Sequence, residues 1–214
     1  YETKRGMACT MDNILVTVGA TGALNTCLTG LLNPGEEVII PIPAFPLYES
    51  ITVAAGAVPV FLDLKKSNFQ IEKPALEAVI SKKTRAIVLN SPNNPTGCVL
   101  SEESLSVVAE LAQKHDFWIL CDNVYAALSS EPVPDLTLDP GLRDRCILCQ
   151  SFSKPWAMIG WRLGWLAAPD GLIDKFTILQ AAQIASVPTF LQKAAETALQ
   201  VDVASMADTY RKRR

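Results

Sequence analysis

Residues 86–125 read AIVLNSPNNPTGCVLSEESLSVVAELAQKHDFWILCDNVY, and this stretch decides the fold. Two short runs rich in branched and apolar residues, Ala86–Leu89 and Trp118–Cys121, enclose a longer segment, Ser101–His115. In that segment Leu105, Val108, Ala109 and Ala112 recur at helical spacing and form one apolar stripe. A strand, a helix and a second strand of this size make a crossover unit, which sets its two strands parallel. Ser101 stands where the helix starts, and Glu102 and Glu103 suit the positive end of its dipole. Ser104 rather than an acid follows three residues on, so a full capping box is absent.

The same alternation continues in both directions. Further strands are expected at Ile14–Val18, Val38–Ile40, Val58–Leu62, Cys146–Gln150 and Leu163–Ala167, and further helices at Thr21–Leu32, Pro46–Ala55 and Pro74–Ser81. Seven strands alternating with helices predict an α/β fold with three α-β-α layers, a mainly parallel seven-stranded sheet and right-handed crossovers. After Ala168 the strand pattern stops; Leu172–Gln183 and Pro188–Val203 read as two helices broken at Pro188, and Tyr210–Arg214 as the polar face of an unfinished helix. The 214 residues suit one domain, and the start at Tyr1 suggests a piece of a longer chain.

Composition narrows the partners. Hydrophobic residues make up 49% and charged residues 19%, and mean hydropathy is +0.21, which excludes a disordered chain and suits strands covered on both faces. With 19 basic against 22 acidic residues and an isoelectric point near 5.3, no field gathers nucleic acid or an anionic membrane. Small molecules or another subunit are the expected partners. No charge occurs from Ile14 to Gly35, but Thr17, Thr21, Asn25 and Thr29, three internal glycines and the turn Asn33-Pro34-Gly35 argue for a strand feeding a buried helix rather than a membrane span. The cysteines at 9, 27, 98, 121, 146 and 149 form no disulfide framework, so reduced thiols and a cytoplasmic location are expected. Cys146 and Cys149 form a CxxC inside a predicted strand with no second pair, and no metal site is assigned.

In open parallel sheets ligands gather beyond the carboxyl ends of the strands. Five strand ends here carry chemically capable residues. Gly19-Ala20-Thr21-Gly22 could cradle a phosphate at a helix start, or simply make a tight packing turn; it does not match the dinucleotide GxGxxG. Phe45, between Pro43 and Pro46, offers a ring to a flat heterocycle or to the core. In Ser91-Pro92-Asn93-Asn94-Pro95-Thr96-Gly97 two prolines fix the backbone and leave the Asn94 amide with a set direction, from which it could donate to a phenolic oxygen. Asp122 ends an apolar run, where a carboxylate is costly unless paired, and a pyridinium nitrogen is a suitable partner. Tyr125 offers a phenol three residues later, or a surface side chain.

Ser151-Phe152-Ser153-Lys154 follows a buried strand, and a lysine there snorkels, pairs with an acid, or does chemistry. A lysine amine attacks carbonyls only when unprotonated, a state favoured by desolvation or a cationic neighbour. Arg162 can supply that field and also a fork for phosphate, or form a surface salt bridge. The same four residues match the SxxK of serine β-lactamases and penicillin-binding proteins, but the accompanying SxN and KTG elements are missing, the nearest stretch being Lys83-Thr84-Arg85. His115, the only histidine, sits at a helix end beside Lys114 and gives a Ser-His-Asp hydrolase little support.

Together Ser91–Gly97, Asp122-Asn123-Val124-Tyr125 and Ser151–Arg162 resemble class I/II aminotransferases of the aspartate aminotransferase superfamily, in order and in spacing, over nearly the whole chain. The resemblance implies the large domain of the type I pyridoxal-phosphate fold for residues 1–214. It implies that Lys154 carries pyridoxal 5'-phosphate as an imine and then shuttles the proton between Cα and the cofactor. It further implies that Asp122 keeps the pyridine nitrogen protonated, that Asn94 and Tyr125 bond the ring phenolate, and that Phe45 stacks on the ring. Gly19, Ala20, Thr21, Ser151, Arg162 and, more weakly, Ser153 would hold the phosphate. Amino-acid and 2-oxo-acid substrates and a homodimer are also implied.

Asn123 departs from the pattern, which commonly has an acid there. The family's carboxylate-binding arginine from a C-terminal segment and its phosphate-binding tyrosine from a partner's N-terminal segment are not found in these residues. The 214 residues alone are therefore expected to bind cofactor weakly and to transaminate poorly. Two alternatives share the motifs: a carbon-sulfur or related amino-acid lyase using the same cofactor, and a cofactor-binding module without activity.

Overall fold

Seven strands form one sheet in the order β1-β7-β6-β5-β4-β2-β3. The computed structural model describes residues 1–213; Arg214, the end of the predicted polar stretch, lies outside them. The strands are β1 (Ile14–Thr17), β2 (Glu37–Ile42), β3 (Val58–Asp63), β4 (Thr84–Asn90), β5 (Trp118–Asp122), β6 (Cys146–Ser151) and β7 (Gly164–Ala167). All seven expected strands are present within a few residues. Neighbours pair in parallel from β3 through β6, while β7 runs antiparallel to both β6 and β1.

The central strands are buried on both faces, and their side chains divide between two cores by simple alternation. Ala86, Val88, Leu120, Ile147 and Cys149 face a core shared with α1 (Gly19–Leu31), α2 (Leu47–Ala54) and α5 (Leu172–Ile184). Ile87, Leu89, Ile119, Cys121 and Cys146 face a second core with α3 (Lys73–Val79) and α4 (Glu102–His115). This is the expected three-layer α-β-α arrangement. Cys146 and Cys149 lie in opposite cores, as residues three apart on a strand must, so they cannot grip one ion. All six cysteines are free thiols.

The helix boundaries follow local chemistry. Ser101 caps α4, its hydroxyl accepting from the Ser104 amide at 3.1 Å, and Asp116 closes the helix in the left-handed region. The charge-free stretch 14–35 is divided between β1 and the 13-residue α1, and no helix among the described residues is long and apolar enough to cross a membrane. The helix expected over Pro188–Val203 is shorter. It ends at Ala198 as α6 (Thr189–Ala198), and α7 (Ala204–Arg213) takes up the polar stretch after a break at Asp202, whose carboxylate caps the Ala204 amide. α6 packs through Leu191 and Ala195 on Phe152, Trp165 and Val16, a third, smaller core on the outer end of the sheet.

Candidate active site

The carboxyl ends of β1, β4, β5 and β6 lie along one edge of the sheet, and antiparallel β7 begins there. Thr17, Gly164 and Ser151 stand side by side across β1, β7 and β6, and Asn90, Asp122 and Cys149 across β4, β5 and β6. A cavity of about 180 Å³ opens over this edge. Ala20, Thr21, Phe45, Asn94, Asp122, Tyr125, Ser151, Ser153, Lys154 and Arg162 all line it. Of the residues expected from sequence, only Gly19 is not in its wall.

Gly19 lies immediately behind that wall. It starts α1 with φ +66°, and a Cβ there would come within 2.8 Å of Arg162 Nη2. Glycine thus lets the helix start meet the guanidinium at close range. Arg162 is itself held in the left-handed region at φ 54°, with Nη1 donating to the Ile159 carbonyl at 2.9 Å. It is exposed and forms no salt bridge among the described residues, so the surface ion pair is not what occupies it. Ser151 and Ser153 complete this end. The Ser151 hydroxyl donates to the Leu163 carbonyl at 3.3 Å and accepts from the Ser153 amide at 3.0 Å. A helix start, two serines and a guanidinium around one space have the chemistry to hold an anion.

The end of β5 supplies the acid. Asp122 is 4% exposed, and burial pushes its carboxyl up to about 6. One oxygen accepts from the Tyr48 hydroxyl at 2.6 Å; the other is met by the Val124 amide at 3.4 Å. Asp122 forms no salt bridge among the described residues. In the same wall, Lys154 Nζ lies 5.8 Å from the centre of the Tyr125 ring, and the Asn94 side-chain amide donates to the Tyr125 hydroxyl at 3.4 Å. Burial, with the Asp122 charge behind it, raises the Tyr125 phenol.

Three residues escaped the sequence reading. Asn90 is buried and fastens the Pro-rich loop to the sheet: its side chain accepts from the Asn94 amide at 2.7 Å and donates to the Asp122 carbonyl at 2.9 Å. Tyr48 holds the Asp122 carboxylate; its placement one turn beyond Phe45 was the available signal. Gly164 sits where a Cβ would strike the Gly19–Ala20 backbone, at 2.6 Å from Gly19 C and 2.9 Å from Ala20 N. Asn123, the residue that departs from the family pattern, points away from the cavity. It donates to Asp135 at 2.9 Å, and Asp135 in turn meets Arg5 at 2.8 Å, while Arg5 also holds buried Glu2 at 2.7 Å.

Fold and site define a three-layer α/β domain with a lysine, a buried aspartate and an arginine around one cavity. The chain belongs to the class I and II aminotransferase family, whose profile matches residues 2–214. It is 39% identical over 220 residues to an aspartate aminotransferase of Musicola paradisiaca, covering 100% of this chain and 55% of that protein. It is 36% identical to an arginine–pyruvate transaminase of Pseudomonas aeruginosa, again over the whole chain and 56% of the relative. The crystal structure of an aspartate aminotransferase from Thermotoga maritima superposes with a TM-score of 0.92 at 33% identity, over 95% of this chain and 55% of that one. The chain thus spans about half the length of the relatives it matches. The family implies pyridoxal phosphate as cofactor, and the fold is that of the aspartate aminotransferase large domain.

Proposed function

We propose that this chain is the cofactor-binding large domain of a pyridoxal-phosphate-dependent aminotransferase that moves an amino group from an amino acid to a 2-oxo acid. The observation that carries this reading is Asp122. A carboxylate buried this deeply with one strong hydrogen bond is under-compensated, and it is best satisfied by a cation arriving in the cavity. A protonated pyridine nitrogen is such a cation, and the serines, helix start and Arg162 lining the same cavity suit the phosphate of the same molecule.

Each residue then has a task. Gly19, Ala20 and Thr21 with Ser151, Ser153 and Arg162 bind the phosphate, Phe45 covers the ring, and Asn94 and Tyr125 donate to its phenolic oxygen. Asp122 holds the proton on the ring nitrogen. Lys154 would hold the cofactor and, as a free amine, would carry the proton to and from the substrate Cα. When bound, the cofactor accepts the electron pair left at that carbon. Both curated relatives described above are named as transaminases, which supports transfer rather than elimination. A homodimer in the cytoplasm is part of the proposal.

Incubation with pyridoxal phosphate, borohydride reduction and peptide mapping test it. The label is expected on Lys154 alone and absent from Lys154→Ala, with amino transfer to a 2-oxo acid measured in parallel. Cofactor fixed at other lysines, or none fixed at all, refutes the reading.

A further inference from the structure

We propose that Tyr48 is a positioning residue of this site: it takes one oxygen of the Asp122 carboxylate and so presents the other to a pyridine-type nitrogen in the cavity. This inference rests on the cofactor reading above. Tyr48 is 2% exposed and stands in the first turn of α2, 74 residues from its partner in sequence. Its backbone is fixed on both sides, its amide donating to the Phe45 carbonyl at 3.2 Å and its carbonyl accepting from the Thr52 hydroxyl at 2.7 Å. The Phe45 and Tyr48 rings meet edge to face at 5.8 Å. One turn of chain therefore places both an aromatic wall of the cavity and the donor to the buried acid.

The hydroxyl is what matters at position 48. Phenylalanine would fill the same apolar space without bringing a buried polar group that must be matched. The titratable groups around Asp122 are Tyr48 on α2, Cys121 on β5, Tyr125 after it, Cys149 on β6 and Lys154 after that strand. Of these only Tyr48 donates to the carboxylate; the other contact is the long one from the Val124 amide. Burial and the facing carboxylate raise the Tyr48 phenol well above its ordinary range, so it stays a donor at every working pH. Its bond favours the ionised acid, against the burial that opposes it.

The test follows the Asp122 carboxyl carbon by NMR in the cofactor-free, ¹³C-aspartate-labelled chain, assigned with Asp122→Asn. Loss of one charge-assisted hydrogen bond in Tyr48→Phe is expected to raise the midpoint by about one to two pH units. An unchanged midpoint in a folded variant overturns the proposal. Pyridoxal phosphate affinity at pH 7 is expected to fall about two- to tenfold in Tyr48→Phe and to recover as pH rises, because the shift takes the ionised fraction at that pH from about nine-tenths to between about a half and a tenth. In the Asp122→Asn background the same substitution is expected to change affinity less than about twofold. A loss there as large as in the Asp122 parent means that Tyr48 acts on the ligand directly, which also overturns the proposal. If Tyr48→Phe folds only when Asp122→Asn accompanies it, the coupling is supported. Failure of the parent to bind cofactor removes the reading of the site, while the titration still decides what Tyr48 does to Asp122.

Discussion

Gly164→Ala tests the connection between the sheet and the site. Gly164 opens β7 opposite Ser151 of β6, and a Cβ on it would lie 2.5 Å from the Gln150 carbonyl oxygen, 2.6 Å from Gly19 C and 2.9 Å from Ala20 N. All three neighbours are backbone, so no side chain can rotate away. The strand must separate from β6, losing ladder bonds, or push the start of α1 off the sheet. Overpacking a filled interior costs about 1–3 kcal/mol and occasionally more, and with no soft neighbour the loss should reach about 3 kcal/mol. In urea, with m of about 1–3 kcal/mol/M, the midpoint should drop by about 1 to 3 M at unchanged m. Gly160→Ala, where nothing lies within 4 Å, is the control and should stay within about 0.5 kcal/mol of the parent. Where the variant folds, the displaced Gly19–Ala20 turn should also weaken phosphate binding. A Gly164→Ala midpoint equal to that of the control refutes the packing argument.

Arg162→Ala should lower pyridoxal phosphate affinity about 10- to 100-fold through loss of a charged donor, with a much smaller effect on unphosphorylated pyridoxal; equal losses for both in an equilibrium titration would remove Arg162 from the phosphate end. Arg5→Ala leaves the buried Glu2 and Asp135 carboxylates without their shared cation, and denaturant unfolding should show a loss of about 3–5 kcal/mol; a loss below about 1 kcal/mol contradicts the buried network. Asp122→Asn should stabilise the cofactor-free chain at pH 8. The folded carboxyl, at about 6, lies above its ordinary 3.8, so the folded chain holds the proton more tightly than the unfolded chain. That contribution is complete below about pH 4 and is lost as pH rises through 6, by as much as about 3 kcal/mol, so the gain from Asn should grow over the same window in urea melts. A gain independent of pH contradicts this origin.

Strands and helices were legible because each apolar run is bounded by glycine, proline or a cap, and because alternation of the two element types leaves few architectures. The position of β7 was not. Its four residues read like any buried strand, and only pairing over long sequence distances inserts it antiparallel between β1 and β6. The end of α6 was overrun because Val201 and Val203 continue an apolar pattern that Asp202 interrupts by capping the next helix. At the site, residues with unusual local chemistry announced themselves: the proline-framed Asn94, the aspartate ending an apolar strand, the lysine after another. Asn90 and Gly164 gave no such signal, and Tyr48 only its place one turn beyond Phe45. Each acts through a partner 32, 74 or more than 100 residues away, and each is an ordinary residue for a strand end, a helix turn or a strand start.

The same aspartate links stability to ligand. An apolar strand end that accepts a carboxylate raises the free energy of the empty domain, and Tyr48 offsets only part of that cost, since Asp122 still titrates near 6. A ligand that brings a positive nitrogen to Asp122 and a phosphate to the Arg162 side relieves the buried charge while adding contacts of its own. Binding to the folded chain alone then stabilises it in proportion to the logarithm of ligand concentration over Kd. The relief term is largest where Asp122 is ionised in the empty chain, so the stabilisation by cofactor should grow from pH 5 to pH 8. In Asp122→Asn, which has no charge to relieve, that growth should disappear even though the phosphate contacts remain. An empty domain weakened by its buried aspartate and a loaded domain strengthened by it are two consequences of one buried charge.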